Sequence, residues 1–183
     1  MKFRILIKVS LFLVVLFFTL VSCDSNEARK PIQRKGGASL KKSVDVNKVL
    51  FEKEQNAMRD FMRLDSLHIY QDSGKGFWYT LLQKSSAITK TPVKGDVIQF
   101  EQEILSLNGK VIYSKEELGI QTYVVDKEHV VKGVKEGVKL MRENEEFKFI
   151  FSSFVAFRMN GDEAQRVGVN EPIVSIIKLL KIN

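Results

Sequence analysis

The sequence predicts an α+β domain in which one short helix lies across an antiparallel sheet, and two neighbouring stretches predict it. Residues 130–141 (VVKGVKEGVKLM) put Val130, Val131, Val134, Val138 and Met141 on one arc of a helix, with Lys132, Lys135, Glu136, Lys139 and Arg142 opposite. Phe147, Phe149 and Phe151 then alternate with Glu146, Lys148 and Ile150, the period of a half-buried strand with one aromatic face. The turn at 143–145 is too short for a crossover, so helix and strand are direct neighbours. Gly133 and Gly137 stand one turn apart beside the apolar arc, and each costs a helix about 1 kcal/mol against alanine. Two such costs on one edge imply a close approach of the helix backbone to its cover.

At the N-terminus Lys2, Arg4 and Lys8 precede an apolar run over 9–21 that ends in the small residue Ser22, the layout of an export signal. The run holds 13 residues, whereas a helix crossing a bilayer needs about 20. Leu20-Val21-Ser22-Cys23 resembles a bacterial lipobox, which makes Cys23 the lipid attachment site and the first residue of the mature chain. The expectation is an exported protein, lipid-anchored in the cell envelope and facing the periplasm. Cys23 is the only cysteine, so the folded part has no disulfide and no thiolate metal site and is held by its core.

The formal charge of +7 includes Lys2, Arg4 and Lys8; without the signal 26 basic residues face 22 acidic ones, a net +4. Nucleic acid is a poor partner, since a basic balance supports such binding only when the cations cluster on a face and the compartment is right, and an exported lipoprotein has the wrong compartment. Arg29, Lys30, Arg34, Lys35, Lys41 and Lys42 crowd the segment behind the anchor, as in a solvated tether. The organisation read from the chain is a signal peptide over 1–22, a flexible tether over 23–41, an amphipathic helix within 42–70 and a domain over 71–183.

The tether carries Pro31, Gly36 and Gly37 and few large apolar residues. Between 42 and 67 the residues Val46, Val49, Leu50, Ala57, Phe61 and Leu64 recur at helical spacing, with Phe51, Met58 and Met62 beside the stripe. That stripe serves either to pack on the following domain or to pair with a second copy. The turn-rich 72–76 (DSGKG) precedes the strand FWYTLLQK; it lacks the spacing of a phosphate loop. A second turn at 91–96 leads to VIQFEQEIL, where Ile98, Phe100, Gln102 and Ile104 share a face, so Gln102 points into the core. Asn108-Gly109 signals a hairpin with positive φ at both central positions, and its partner strand is 110–113. Residues 153–170 form a long connection of the kind that is functional or mobile. In the closing strand (PIVSIIKLLKI) Ser175 shares an apolar face with Ile173, Ile177 and Leu179.

No acid or thiol stands at ligand or triad spacing from His68 or His129, which read as surface or turn residues. Nucleophile-elbow, metalloprotease and dinucleotide signatures are absent. Asp162 and Glu163, at a loop tip, read as solvated acids.

The order of elements goes further. GDVI at 95–98, LNGK at 107–110, VVKGVKEGV at 130–138, Leu140-Met141 and Ala156-Phe157 resemble FKBP-type peptidyl-prolyl isomerases over about 76–183. With the lipobox, the long helix and the GFWY strand, the whole chain resembles the FKBP-like lipoproteins associated with gliding motility. The resemblance implies a twisted antiparallel half-barrel wrapped on one short helix and rotation about Xaa-Pro bonds, whose barrier is about 18–20 kcal/mol. It implies no cofactor, no metal and no covalent step, since an apolar pocket can favour the twisted amide over the planar one. The partners implied are proline-containing exported polypeptides, the membrane through the lipid, and an envelope or motility complex.

The pocket itself departs from the family. The resemblance matches Val134 to the family's tryptophan, Gln102 to its first tyrosine, Tyr113 to its aspartate, and Gln121, Ser175 and Ile112 to phenylalanines. Phe157 replaces the loop tyrosine and Arg158 the glycine after it, while Val130 and Val131 keep the aliphatic wall. Fewer rings imply a wetter, wider cavity and weak activity, each lost ring removing up to a few kcal/mol of apolar burial.

Overall fold

The computed structural model describes residues 36–86, 89–158 and 160–183, with side chains from 43 onward. The signal segment, the lipobox and most of the tether lie outside the described residues. Along the chain come α1 (Gly36–Leu64), β1 (Gln71–Asp72), β2 (Phe77–Gln83), β3 (Val97–Ser106), β4 (Val111–Tyr113), α2 (Lys115–Leu118), β5 (Gln121–Val124), α3 (Lys132–Gly137) running into a 3-10 turn (Val138–Leu140), β6 (Glu146–Phe151) and β7 (Ile173–Ile182). The folded unit is Lys42–Asn183. Among the described residues no helix is long and apolar enough to cross a membrane.

One antiparallel sheet holds all seven strands in the order β1-β2-β6-β7-β3-β4. The free side of β3 is shared: its first half pairs with β5 and its second half with β4. The concave face is built from alternate residues, Phe147, Phe149 and Phe151 on β6, Ile173, Ser175 and Ile177 on β7, and Phe100, Gln102 and Ile104 on β3. The β6 rings stack at 5.7 and 5.4 Å between centres, and Phe77 of β2 meets Phe149 and Phe151 edge-on.

The two glycines of α3 explain how the helix fits this surface. A Cβ on Gly133 would lie 2.5 Å from the Phe151 ring, and one on Gly137 would lie 2.9 Å from the Phe149 ring. Helix residues one turn apart thus sit on strand residues two apart, and any larger side chain would lift the helix off the rings. The α-helix is shorter than the apolar arc suggests. Val131 is non-helical (φ −51°, ψ 132°) and caps the first turn, so Val130 and Val131 lie ahead of the helix, while Val134, Val138 and Met141 are buried.

Three further expectations need correction. Helix α1 begins at Gly36, inside the segment read as tether, and ends at Leu64 rather than 67. It packs on the domain, yet of the predicted stripe only Phe61 is covered: Val46, Val49, Leu50, Ala57 and Leu64 are exposed, and the covered arc is Glu54, Gln55, Met58, Phe61 and Met62. Acids fasten that arc. Glu54 accepts the Ser153 N–H (2.6 Å) and hydroxyl (2.7 Å), and Asp65, just past the helix end, accepts from Tyr70 (2.6 Å), Lys148 (2.7 Å) and His68 (2.8 Å). Apolar periodicity is blind to a face anchored by carboxylates. The 108–109 hairpin forms with a different turn: only Gly109 has positive φ (82°), with Gly109 N–H donating to Ser106 and Ser106 N–H to Lys110, a type I turn closed by a glycine bulge. Elements β1, α2 and β5 had no sequence signal, being two to four residues long.

Candidate functional site

A cavity of about 820 Å³ opens between the concave face, the entry to α3 and the β6–β7 connection. Of the nine candidate pocket residues, Gln102, Tyr113, Gln121, Val130, Val131, Val134 and Phe157 line it. Ile112 packs against the core outside the lining, and Ser175 is wholly buried beneath it. The cavity also recruits Phe100, Ile104, Leu118 and Ala156, with Asp162 at its rim. His129 stands exposed at the mouth, as a turn residue would.

Each wall follows from local structure. Val130 and Val131 line the cavity from the non-helical approach to α3, and Lys135 N–H closes the first turn on the Val131 carbonyl (3.0 Å). Leu118 comes from α2, whose N-cap Ser114 accepts the Glu117 N–H. The turn after β6 delivers Ala156 and Phe157: Val155 and Ala156 N–H both donate to the Ser152 carbonyl (3.0 and 2.9 Å), and Gly133 N–H donates to the Val155 carbonyl (2.7 Å). Arg158 ends that turn at φ 55°, a left-handed position where the resembled family writes glycine.

The floor is polar and satisfied. Gln102 Nε2 donates to the Ser175 hydroxyl (2.9 Å), and Gln121 Nε2 approaches Gln102 Oε1 at 3.4 Å. The two inward polar residues found by alternation are therefore partners, which removes the cost of burying either alone.

The loop acid overturns a sequence expectation. Asp162 is buried, accepting the Tyr113 hydroxyl in a very short hydrogen bond and the Val167 N–H at 2.6 Å. Burial raises its carboxyl, but those donors outweigh it and hold the group below the ordinary carboxylate range. The same bond raises the Tyr113 phenol. Arg166 secures the latch by lying 4.7 Å from the Tyr113 ring centre and pairing with Glu117 at 2.6 Å. The clue available in the sequence was Tyr113 itself: a phenol at an acid's position leaves a donor that the Asp162 loop can meet.

Such a site can surround a small apolar ring with Val130, Val131, Val134, Ile104 and Phe157 and present amides to a flanking peptide. Comparison with known proteins agrees. The family model described as FKBP-type peptidyl-prolyl cis-trans isomerase matches residues 89–180, half of the chain. The chain is similar to the probable FKBP-type peptidyl-prolyl cis-trans isomerase FkpA of Neisseria meningitidis serogroup B, 31% identical over 111 residues, which are 60% of this chain and 39% of that protein. Among solved structures it resembles FkpA from Escherichia coli (TM-score 0.60, 17% identity, 80% of this chain and 68% of that one) and the N-terminal domain of FKBP42 from Arabidopsis thaliana (TM-score 0.56, 13% identity, 63% and 92%). At these identities the two structures bear on the fold alone.

Proposed function

Because the chain belongs to the FKBP-type peptidyl-prolyl cis-trans isomerase family, we propose that it is a weak isomerase of Xaa-Pro bonds, tethered to the envelope through Cys23, that assists the folding of exported polypeptides. The observation that carries this reading is the aliphatic wall of Val130 and Val131 facing Phe157 across an open cavity whose floor has no unpaired polar group. A prolyl ring can enter without stranding a buried donor or acceptor. Export and the lipid anchor rest on the 1–23 signal and lipobox pattern, and a role in motility machinery rests on the resemblance of the whole chain to FKBP-like lipoproteins of that setting.

A specific observation favours a second reading, a folding helper or assembly subunit without catalysis. Phe157 has no hydroxyl to hold a substrate carbonyl, and the Tyr113 hydroxyl is committed to Asp162. NMR exchange on an Ala-Phe-Pro peptide separates the two. Catalysed exchange with the full chain, blocked by a macrolide ligand, supports the isomerase; a folded protein without catalysis supports the helper. The double variant Val134→Trp, Gln102→Tyr restores two rings. Faster exchange is expected, and no gain would mean that the missing rings are not what limits activity.

A further inference from the structure

The exposed large apolar side chains of this surface include four that converge. Leu50 and Phe51 of α1 (45% and 59% exposed) and Phe154 and Val169 of the β6–β7 connection (59% and 60%) line one groove of about 450 Å³. Asn47, Lys53, Glu54, Ser153 and Asn170 stand among them, so the groove offers apolar side chains together with polar ones to whatever covers it.

Its rim is cationic. Lys132 Nζ lies 5.0 Å and the Arg158 guanidinium 4.5 Å from the Phe154 ring centre, and Lys53 lines the groove. None of these three forms an ion pair among the described residues. The acids nearby are occupied: Glu54 by the two donors of Ser153, and Glu171 by the Gly168 N–H at 2.7 Å.

The groove also neighbours the proline cavity along one turn of the chain. Ser153 and Phe154 of the groove and Ala156 and Phe157 of the cavity belong to one tight turn, in which Arg158 N–H donates to the Ser153 carbonyl (2.8 Å). Lys132, over Phe154, directly follows Val131 of the cavity wall. An extended chain advances about 3.3 Å per residue, so a few residues carry it from one site to the other.

We propose that this groove is a second client subsite, which holds a segment flanking the bound proline and selects acidic residues next to large apolar ones. The inference rests on the proline-pocket reading, and its occupant follows from the positive rim and from the single turn, 153–158, that contributes side chains to both sites. Bound there, an apolar side chain covers Phe154 and Leu50 while carboxylates meet Lys132, Arg158 and Lys53.

The test titrates the full chain with labelled Ala-Phe-Pro-Phe and with a peptide carrying the same core between two Glu-Leu-Asp-Phe arms. The longer peptide is expected to bind about tenfold tighter. Phe154→Ser and Leu50→Ser should each remove that gain and leave short-peptide binding and exchange unchanged, and exchanging the arm acids for lysine should remove it too. Equal affinity of the two peptides would overturn the proposal. So would light scattering of a wild-type dimer that Phe154→Ser converts to monomer, because a second copy would then cover the groove. A third peptide with alanine for proline separates the readings. If it binds in a Phe154-dependent way while the short peptide neither binds nor exchanges, the groove stands and the proline pocket falls.

Discussion

Phe149 and Ser175 face each other across β6 and β7, and the concave sheet changes character between them. On the β6 side three stacked phenylalanines carry the bare backbone of α3 at contact distance. On the β7 and β3 side Ser175, Gln102 and Gln121 form a hydrogen-bonded floor under an open cavity. The helix is held by rings on strands that contribute nothing to the cavity lining, so the pocket can lose its own rings without loosening the fold. The seat of the helix and the floor of the cavity thus draw on different strands of one sheet, while Phe100 and Ile104 of β3 serve both core and cavity.

The contrast is broken most severely on the dry side. Gly133→Ala should cost about 3 kcal/mol, read as a lower urea midpoint, because Phe151 is wholly buried and has no room to yield 2.5 Å contacts. An unchanged midpoint would mean that the rings are not close-packed against α3.

Acid sharpens the comparison next. Lys148 projects from the outer face of β6 to Asp65, so the clamp on α1 sits behind the ring stack. Burial raises the Asp65 carboxyl, but Lys148, Tyr70 and His68 outweigh it and bring the value from 3.8 down to about 2. A depressed carboxyl contributes stability above its unfolded value and loses it as pH falls through the folded one. On the order of 2 kcal/mol should therefore disappear between about pH 4 and pH 2. Asp65→Asn should flatten that part of the stability profile, and a parallel loss in the variant would assign the acid sensitivity elsewhere.

The smallest effect belongs to the wet side. Ser175→Ala leaves the Gln102 amide without its 2.9 Å partner and should cost about 1–2 kcal/mol. Adding Gln102→Leu to Ser175→Ala should recover most of it, since an apolar pair replaces a satisfied polar one at little net cost. Additive losses in the double variant would show that the two side chains are not coupled.

Much of this molecule was legible in the chain. Strand alternation found β6, β3 and β7 and put Gln102 and Ser175 inward, because a period of two fixes the face whatever the neighbours are. Gly133 and Gly137 announced the contact with the rings, since their cost in a helix needs a compensating approach. β1, α2 and β5 escaped, having too few positions to show a period and no turn signal like the Asn108-Gly109 pair that marked β4.

What only the tertiary structure decided is how distant polar groups pair. Tyr113 and Asp162 lie 49 positions apart, and Glu54 and Ser153 lie 99 apart. No local pattern records such partners, so Asp162 read as solvated and α1 as an apolar stripe. Residue type and period determine which face a side chain takes; whether a carboxylate on that face meets water or a donor depends on the chain that folds over it.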